Sequence, residues 1–141
     1  MKKEVVSVYV DNKANVLSRV VSLYGRRGFN IDSLTVSATN DPGISRITIV
    51  FEGDNLTLHQ IVAQTEKLEV VRSIKTLDGS KSFFRELLMI KVKADQSKRR
   101  EIKEIVDIFR AKIINLTKEE MVLELTGAPE KLLSAYQPSN V

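Results

Sequence analysis

The chain has 141 residues, of which 43% are hydrophobic and 28% charged, proportions typical of one or two small globular domains rather than of a disordered chain. It has no cysteine, which excludes disulfides, thiolate zinc sites and iron–sulfur clusters, and no stretch apolar enough for a secretory signal or a membrane span, so we expect a cytoplasmic protein. The net charge of +4 raises nucleic acid as a partner, but the basic run Lys98–Arg100 leads into a mixed-charge segment typical of a solvated helix face.

The first half of the chain predicts four strands and two helices. Apolar and β-branched runs predict strands at 5–10, 31–38, 44–51 and 70–77. The helix after the first strand is expected to end at Gly28, and Asn40–Gly43 has the composition of a tight turn. Thr57 and Gln60 predict a capping box at the start of the second helix. The order β-α-β-β-α-β is that of a ferredoxin-like sandwich.

The second half repeats most of this plan. Its predicted strands and helices are a strand at 87–94, a helix around 102–109, strands at 113–116 and 121–125, and a helix from Pro129 that Pro138 ends. We therefore predict an α+β fold of two tandem ferredoxin-like βαββαβ sandwiches: a domain at 1–78, a linker at 79–85, and a domain at 86–141 that is truncated and lacks its last strand. The vacant sheet position predicts a shortened chain or a partner segment at that edge.

Residues suited to catalysis are scarce. His59 is the only histidine, and it is expected on the exposed flank of the second helix. Glu119 and Glu120 are adjacent in a turn, so their carboxylates point apart and do not form an acid–base pair. The chain has no P-loop and no dinucleotide-binding glycine pattern. We assign no catalytic and no metal-binding residue and predict a binding protein.

An RNA-binding function is one alternative. Gly25 and Gly28 have the spacing of the GXXG loop with which KH domains clamp an RNA backbone, but a helix C-cap explains Gly28 equally. An RRM has the same β-α-β-β-α-β order, but it needs aromatic residues on its central strands, and 46–50 has none. This absence disfavours nucleic acid as a partner.

A small-molecule site is the other alternative. The backbone N–H groups before the first helix can hold the carboxylate of an amino acid. The Asn12 amide oxygen would accept from its ammonium group, and Val16, Leu17 or Ile31 would line its side chain. Asn30 would complete the site from a neighbouring subunit. The other explanation for Asn12 and Asn30 is ordinary turn and capping chemistry.

Several separated segments resemble the regulatory small subunit of acetolactate synthase (acetohydroxyacid synthase), which has an ACT domain. The strongest is RRGFNIDSLTV at 26–36; the others are NKANVLSRV at 12–20, PGISRI at 42–47, RELLMIKV at 85–92, IFRAKII at 108–114 and ELTG at 124–127. The resemblance implies an N-terminal ACT domain, a second ferredoxin-like domain and no active site on this chain. It implies a catalytic large subunit as partner, which carries thiamine diphosphate, FAD and Mg²⁺ and condenses pyruvate to 2-acetolactate in branched-chain amino acid biosynthesis.

The resemblance also implies a homodimer through the ACT domains, with valine or a related amino acid bound between them. The effector-binding residues that match are Asn12, Asn15, Val16 and Leu17 from one chain and Asn30 and Ile31 from the other. The family usually has glycine where this chain has Asn15. We expect the Asn15 side chain to weaken valine feedback while activation of the large subunit is retained. A free-standing amino-acid-sensing ACT protein remains a further alternative.

Overall fold

The computed structural model describes residues 2–139, and the chain divides into two compact units, Met1–Ser82 (unit 1) and Phe83–Val141 (unit 2). The elements of unit 1 are β1 Lys2–Asp11, α1 Val16–Arg26, β2 Ile31–Ala38, β3 Ile44–Gly53, α2 Asn55–Glu66 and β4 Val71–Leu77. Its strands form one antiparallel sheet in the order β2-β3-β1-β4. The predicted ferredoxin-like order is confirmed.

The core of unit 1 lies between one face of the sheet and the two helices. Val6 and Val8 of β1 lie opposite Ile49 and Ile47 of β3, and all four side chains are fully buried. This follows from the strand period of two, which sends alternate residues to the same face. The helices add further buried residues to this core, among them Val20, Tyr24 and Ile61.

Helix α1 ends in a Schellman motif. Gly28 has a φ of 73°, its N–H donates to the Gly25 carbonyl at 3.1 Å, and the Phe29 N–H donates to the Tyr24 carbonyl at 3.0 Å. The rings of Tyr24 and Phe29 pack edge to face with centroids 6.4 Å apart, which is the apolar contact typical of this motif. Gly28 therefore ends the helix as predicted, and its conformation accounts for the second glycine of the GXXG pattern.

Helix α2 begins earlier than predicted, and its N-cap lies three residues before Thr57. The N-cap is Asp54, whose Oδ1 accepts a hydrogen bond from the Thr57 N–H at 2.8 Å. The prediction that Thr57 and Gln60 form the box was wrong, because Thr57 is the third helical residue. Its N–H is already bonded to the charged carboxylate of Asp54, which is a stronger acceptor than a hydroxyl group. This hydrogen bond from Thr57 also holds the pKa of the Asp54 carboxyl below its usual range.

Unit 2 has five elements: β5 Glu86–Lys93, α3 Arg99–Phe109, β6 Lys112–Leu116, β7 Glu120–Gly127 and α4 Pro129–Ser139. The strands form an antiparallel sheet in the order β5-β7-β6, which repeats the order β1-β3-β2. Within residues 2–139 no further strand pairs with β5, so β5 and β6 are both edges. Helix α4 begins at Pro129 as predicted and continues one residue past Pro138, a difference within the usual uncertainty of helix ends.

The core of unit 2 is smaller and less well filled. Ile90 and Val92 lie opposite Leu123 and Met121, and α3 adds Val106. An entirely apolar cavity of about 30 Å³ remains between this sheet and the helices. It is lined by Ile90, Val92, Ile105, Val106, Phe109, Ala111, Leu123, Leu125 and Ala135.

The two units share two local irregularities, each repeated 82 positions later. Arg110, which follows Phe109 of α3, has a φ of 57° and corresponds to Gly28. The pairing register shifts between Ile31 and Ser33 in β2 and between Ile113 and Asn115 in β6, so each edge strand has a bulge at the same place. These shared features allow residues of α1 and β2 to be compared one by one with residues of α3 and β6.

Candidate effector site

The loop between β1 and α1 is tied at its start to β4. The Asp11 N–H donates to the Val70 carbonyl at 2.9 Å, and Arg72 donates from Nε to the Asp11 carboxylate at 2.7 Å. Arg72 was not predicted as part of this site. It lies 61 residues along the chain, and no local pattern in the sequence indicates such a contact.

The next residue ties the loop to the turn between β2 and β3. The Asn12 N–H donates to the Gly43 carbonyl at 2.9 Å, and its side-chain Nδ2 donates to the Pro42 carbonyl at 3.0 Å. Because the amide nitrogen is used in this way, the amide oxygen of Asn12 is left as an acceptor. The side chain therefore makes the turn contact that was one explanation for it from the sequence, and its role in binding a ligand stays a prediction.

Helix α1 begins without a side-chain cap. Asn15 is the N-cap residue, with φ 69° and ψ 1°, and its side chain makes no capping hydrogen bond. Its carbonyl accepts from the Arg19 N–H at 3.1 Å, but no group in the described part of the chain accepts from the N–H groups of 16–18. Asp54 caps α2 by contrast. The N-terminus of α1 therefore presents free donors and the positive end of the helix dipole.

The remaining predicted residues differ in their surroundings. Val16 is buried in the core of unit 1, so its side chain packs against other core residues. Leu17, the next residue, is exposed beside the free N–H groups. Ile31 is half-buried against the core, and Asn30 is exposed immediately before β2.

The two groups of predicted residues lie at opposite ends of the sheet. Ile31 pairs with Phe51, which pairs with Glu4 near the start of β1. Asp11, at the other end of β1, pairs with Ile44. Seven residues of strand separate these positions, a distance of roughly 23 Å. One chain therefore does not bring Asn30 and Ile31 to the β1–α1 loop.

The outer side of α1 and the edge strand β2 expose apolar residues. Leu17 and Val21 on α1 and Val36 on β2 are all exposed. The corresponding residues of α3 are Arg99 and Lys103, so this apolar side is a property of unit 1 and not of the duplicated fold. An apolar helix side next to a free sheet edge is typical of a protein–protein contact.

Other chemistry is limited. His59 is exposed on α2, as predicted. Among the described residues, no cluster of three or more histidine, cysteine or acidic residues could hold a metal ion. No helix within 2–139 has both the length and the apolar character to cross a membrane.

Two family descriptions match the chain in tandem. Residues 6–73 match the AHAS small subunit-like ACT domain, and residues 85–137 match the family described as small subunit of acetolactate synthase. Together they cover most of the chain.

Individual relatives agree with this match. The chain is 46% identical over 127 residues to the acetolactate synthase small subunit of Mycolicibacterium smegmatis, covering 90% of this chain and 75% of that protein. It is 41% identical over 130 residues to the small subunit of Haemophilus influenzae, covering 92% and 80%. The crystal structure of the small subunit from Thermotoga maritima superposes with a TM-score of 0.90 at 38% identity, covering 97% of this chain and 86% of that one. This chain belongs to the family of acetolactate synthase small subunits, and its unit 1 is an ACT domain.

Proposed function

We propose that this chain regulates an acetolactate synthase without catalysing any step itself. It binds the large catalytic subunit and raises the rate at which that subunit condenses two pyruvate molecules to 2-acetolactate and CO₂, in the biosynthesis of valine, leucine and isoleucine. The thiamine diphosphate, FAD and Mg²⁺ that this reaction uses belong to the large subunit. Family membership supports this role, together with the scarcity of residues suited to catalysis on this chain.

The regulatory ligand is an amino acid such as valine, bound between the ACT domains of two copies. The observation that carries this proposal is that the β1–α1 loop and the start of β2 lie at opposite ends of one sheet. Antiparallel pairing of two β2 edges about a twofold axis would place the start of one β2 beside the end of the other. The end of β2 lies at the same end of the sheet as the β1–α1 loop, because Ala38 pairs with Ser45 and Ser45 with Val10. A dimer of this kind therefore has two complete and equivalent sites.

The predicted residues other than the buried Val16 then have definite tasks. The free N–H groups at the start of α1 hold the carboxylate of the effector, and the Asn12 amide oxygen accepts from its ammonium group. Leu17 and the partner subunit's Ile31 contact the aliphatic side chain. The partner subunit's Asn30 closes the site.

Asn15 reduces the affinity of this site. Its backbone already has the left-handed conformation that glycine adopts without strain, so the loop keeps its shape. The extra side chain occupies space beside the free N–H groups and weakens valine binding. An effector regulates by binding the active and inhibited assemblies unequally, and a difference of about 1 to 3 kcal/mol shifts the equilibrium between them by about 5- to 150-fold. When the Asn15 side chain keeps the effector from binding, this shift is lost, while activation of the large subunit, which needs no effector, is retained.

Reconstitution with the acetolactate synthase large subunit from the same source tests the proposal. The rate of 2-acetolactate formation should rise when this chain is added, and millimolar valine should lower it only weakly. A mixture with no rise in rate, in which valine raises the melting temperature of this chain, would indicate a free-standing amino-acid sensor. Salt-sensitive retention of RNA would indicate a nucleic-acid-binding protein. Strong inhibition by micromolar valine would contradict the role given to Asn15.

A further inference from the structure

The start of the β1–α1 loop is held by two sets of hydrogen bonds, and one of them recurs in unit 2. The Asn12 N–H donates to the carbonyl of Gly43, the residue before β3, at 2.9 Å. In unit 2 the Ala94 N–H donates in the same way to the carbonyl of Glu119, the residue before β7, at 2.7 Å. These bonds belong to the duplicated fold. In the described part of the chain, the bonds that join this loop to β4 occur in unit 1 alone.

The residue at the end of the first strand shows that the turn does not itself require a carboxylate. Asp11 is the last residue of β1 and pairs with Ile44. The equivalent last residue of β5 is Lys93, which pairs with Glu120. An ammonium group therefore stands in unit 2 where unit 1 has a carboxylate, although both strands lead into a loop and a helix. The carboxylate of Asp11 and its bond to β4 are a feature of the unit that has the candidate effector site.

The residue that binds the Asp11 carboxylate lies at a β-bulge. The register of β4 against β1 shifts between Tyr9 and Val10, which leaves Arg72 as the extra residue of β4. Bulges change the direction of a side chain and are common next to functional sites. Arg72 Nε donates to Asp11 Oδ1 at 2.7 Å, the length of a charge-assisted hydrogen bond. With the bond from the Asp11 N–H to the Val70 carbonyl, both the backbone and the side chain of Asp11 are bound to β4 or the residue before it.

The charges around the loop balance. The loop 11–15 and the two segments bonded to it, 40–43 and 67–72, contain three acidic and three basic residues: Asp11, Asp41 and Glu69, and Lys13, Lys67 and Arg72. Within residues 2–139 the only ion pair among them joins Asp11 to Arg72. A free amino acid is a zwitterion without net charge, so a balanced surface does not steer it from a distance. The loop contributes to binding through the placement of its hydrogen-bonding groups.

We propose that Arg72 is a positioning residue of the effector site. By holding Asp11, it fixes the Asn12 amide oxygen and the free N–H groups of α1 in the arrangement that binds the amino acid, without contacting the amino acid itself. The inference rests on the proposed function, which supplies the ligand. A loop that is held in place before binding loses less conformational entropy on binding. The apparent affinity falls in proportion to the fraction of molecules that have the competent arrangement.

The test compares three variants of the full chain. Arg72→Met keeps a long side chain and removes the donor. Arg72→Gln removes the charge, but its amide nitrogen occupies the same position along the side chain as the arginine Nε and can donate to Asp11. Lys91→Met is the matched control, because Lys91 pairs with Glu120 at 3.0 Å in the unit that has no candidate effector site. The side chains of Arg72 and Lys91 are similarly exposed, at 56% and 65%.

The affinity for valine is measured by NMR titration, and activation by the rate of 2-acetolactate formation with the purified large subunit. We expect Arg72→Met to raise the Kd for valine at least about fivefold, as when the competent fraction falls to about a fifth. Arg72→Gln and Lys91→Met should bind valine within about twofold of the unmodified chain. All three variants should activate the large subunit fully, and their melting temperatures should be alike because exposed ion pairs contribute little to stability.

Hydrogen exchange in the absence of valine tests the placement of the loop directly. Amides of 12–18 should exchange faster in Arg72→Met than in Arg72→Gln or Lys91→Met. If Arg72→Met does not fold, Asp11→Ala removes the same hydrogen bond from its acceptor side and should raise the Kd for valine by the same factor.

Four results would overturn the inference while the proposed function stands. They are an unchanged Kd for valine in Arg72→Met, an equal rise in Lys91→Met, no recovery of affinity in Arg72→Gln, and equal exchange at 12–18 in all variants. The third result would assign the effect to the charge of Arg72 instead of the position of the loop. If the unmodified chain does not bind millimolar valine or does not activate the large subunit, the proposed function fails and the inference fails with it.

Discussion

Gly28 and Arg110 occupy equivalent positions in the two units and share a left-handed backbone, with φ of 73° and 57°. In unit 2 the Arg110 N–H donates to the Asp107 carbonyl at 3.4 Å, and the Ala111 N–H donates to the Val106 carbonyl at 2.9 Å. These bonds repeat the Schellman motif of α1. The duplicated fold therefore requires the same turn twice, and only the first copy has the residue that adopts it without strain.

Replacing Arg110 with glycine should stabilise unit 2. The left-handed conformation costs an L-residue about 1 to 2 kcal/mol, and part of this is offset because glycine is more flexible in the unfolded chain. We expect Arg110→Gly to raise the free energy of unfolding by about 0.5 to 1 kcal/mol in urea denaturation.

Two controls separate backbone strain from charge. Arg110→Ala removes the charge but keeps the strain, so it should not stabilise the protein. Gly28→Ala should destabilise unit 1 by about 1 kcal/mol. The whole effect should come from the strain of a positive φ, because the added Cβ has no non-adjacent atom within 4 Å. Equal stabilities for Arg110→Gly and Arg110→Ala would show that strain at this residue is negligible.

The contrast between these two residues shows what the sequence could predict. Gly28 was identified as the end of α1 because glycine after an apolar-periodic segment is a strong local signal. The left-handed Arg110 had no such signal, because arginine is not a residue type that favours a positive φ. The bounds of β2, 31–38, agree with the structure because a valine- and isoleucine-containing run is flanked by turn residues on both sides.

The candidate site was also predictable only where the signal is local in sequence. The turn at 11–15 was recognised from its polar residues, and the structure places it between β1 and α1. The contacts that hold this turn come from Arg72 and Pro42, which are distant in sequence. Long-range hydrogen bonds of this kind depend on strand order and register, which a local pattern does not contain. The roles of Asn30 and Ile31 depend on a second chain and remain a prediction.

A buried hydrogen-bond chain links α1 and α2, and breaking it at Thr65 should be destabilising. Thr65 donates from Oγ1 to the Ile61 carbonyl at 2.6 Å, so at 3.1 Å the Tyr24 hydroxyl is the donor to Thr65. Thr65→Val leaves this buried hydroxyl without an acceptor, and we expect a loss of about 1 to 3 kcal/mol. Tyr24→Phe should lose less, about 0.5 to 1.5 kcal/mol, because Thr65 keeps its bond to Ile61.

The double variant Tyr24→Phe/Thr65→Val distinguishes this arrangement from a simple loss of packing. Once the hydroxyl donor is absent, Thr65→Val no longer leaves it unpaired. The loss in the double variant should therefore be smaller than the sum of the single losses, as measured by chemical denaturation. Additive losses would mean that the two hydroxyl groups are not coupled.

Tyr24 should also make unit 1 less stable at high pH. Burial raises the pKa of the Tyr24 hydroxyl above its ordinary value of 10.0. The folded state thus holds this proton more tightly than the unfolded state does. The resulting stabilisation is complete below the unfolded pKa and is lost as pH rises through the folded pKa. Tyr24→Phe should remove this part of the decline in unfolding free energy above about pH 10.

The apolar cavity of unit 2 should accept one more methylene group. Val92 lines this cavity, whose volume of about 30 Å³ is close to that of the added group. Val92→Ile should stabilise the protein by up to about 1 kcal/mol. The matched control is Val10→Ile, since Val10 is the buried equivalent of Val92 in the filled core of unit 1. Val10→Ile should lose about 1 to 3 kcal/mol through overpacking.

Asn15 offers the most direct test of the effector site. Asn15→Gly keeps the left-handed turn, frees space beside the open N–H groups of α1, and should lower the Kd for valine by at least about fivefold, equivalent to about 1 kcal/mol. Asn15→Asp is the opposing variant, because its carboxylate would repel the carboxylate of the effector and abolish binding. Isothermal titration calorimetry of each variant with valine measures both effects. An unchanged Kd in Asn15→Gly, with Asn15→Asp still binding valine, would place the effector away from this loop.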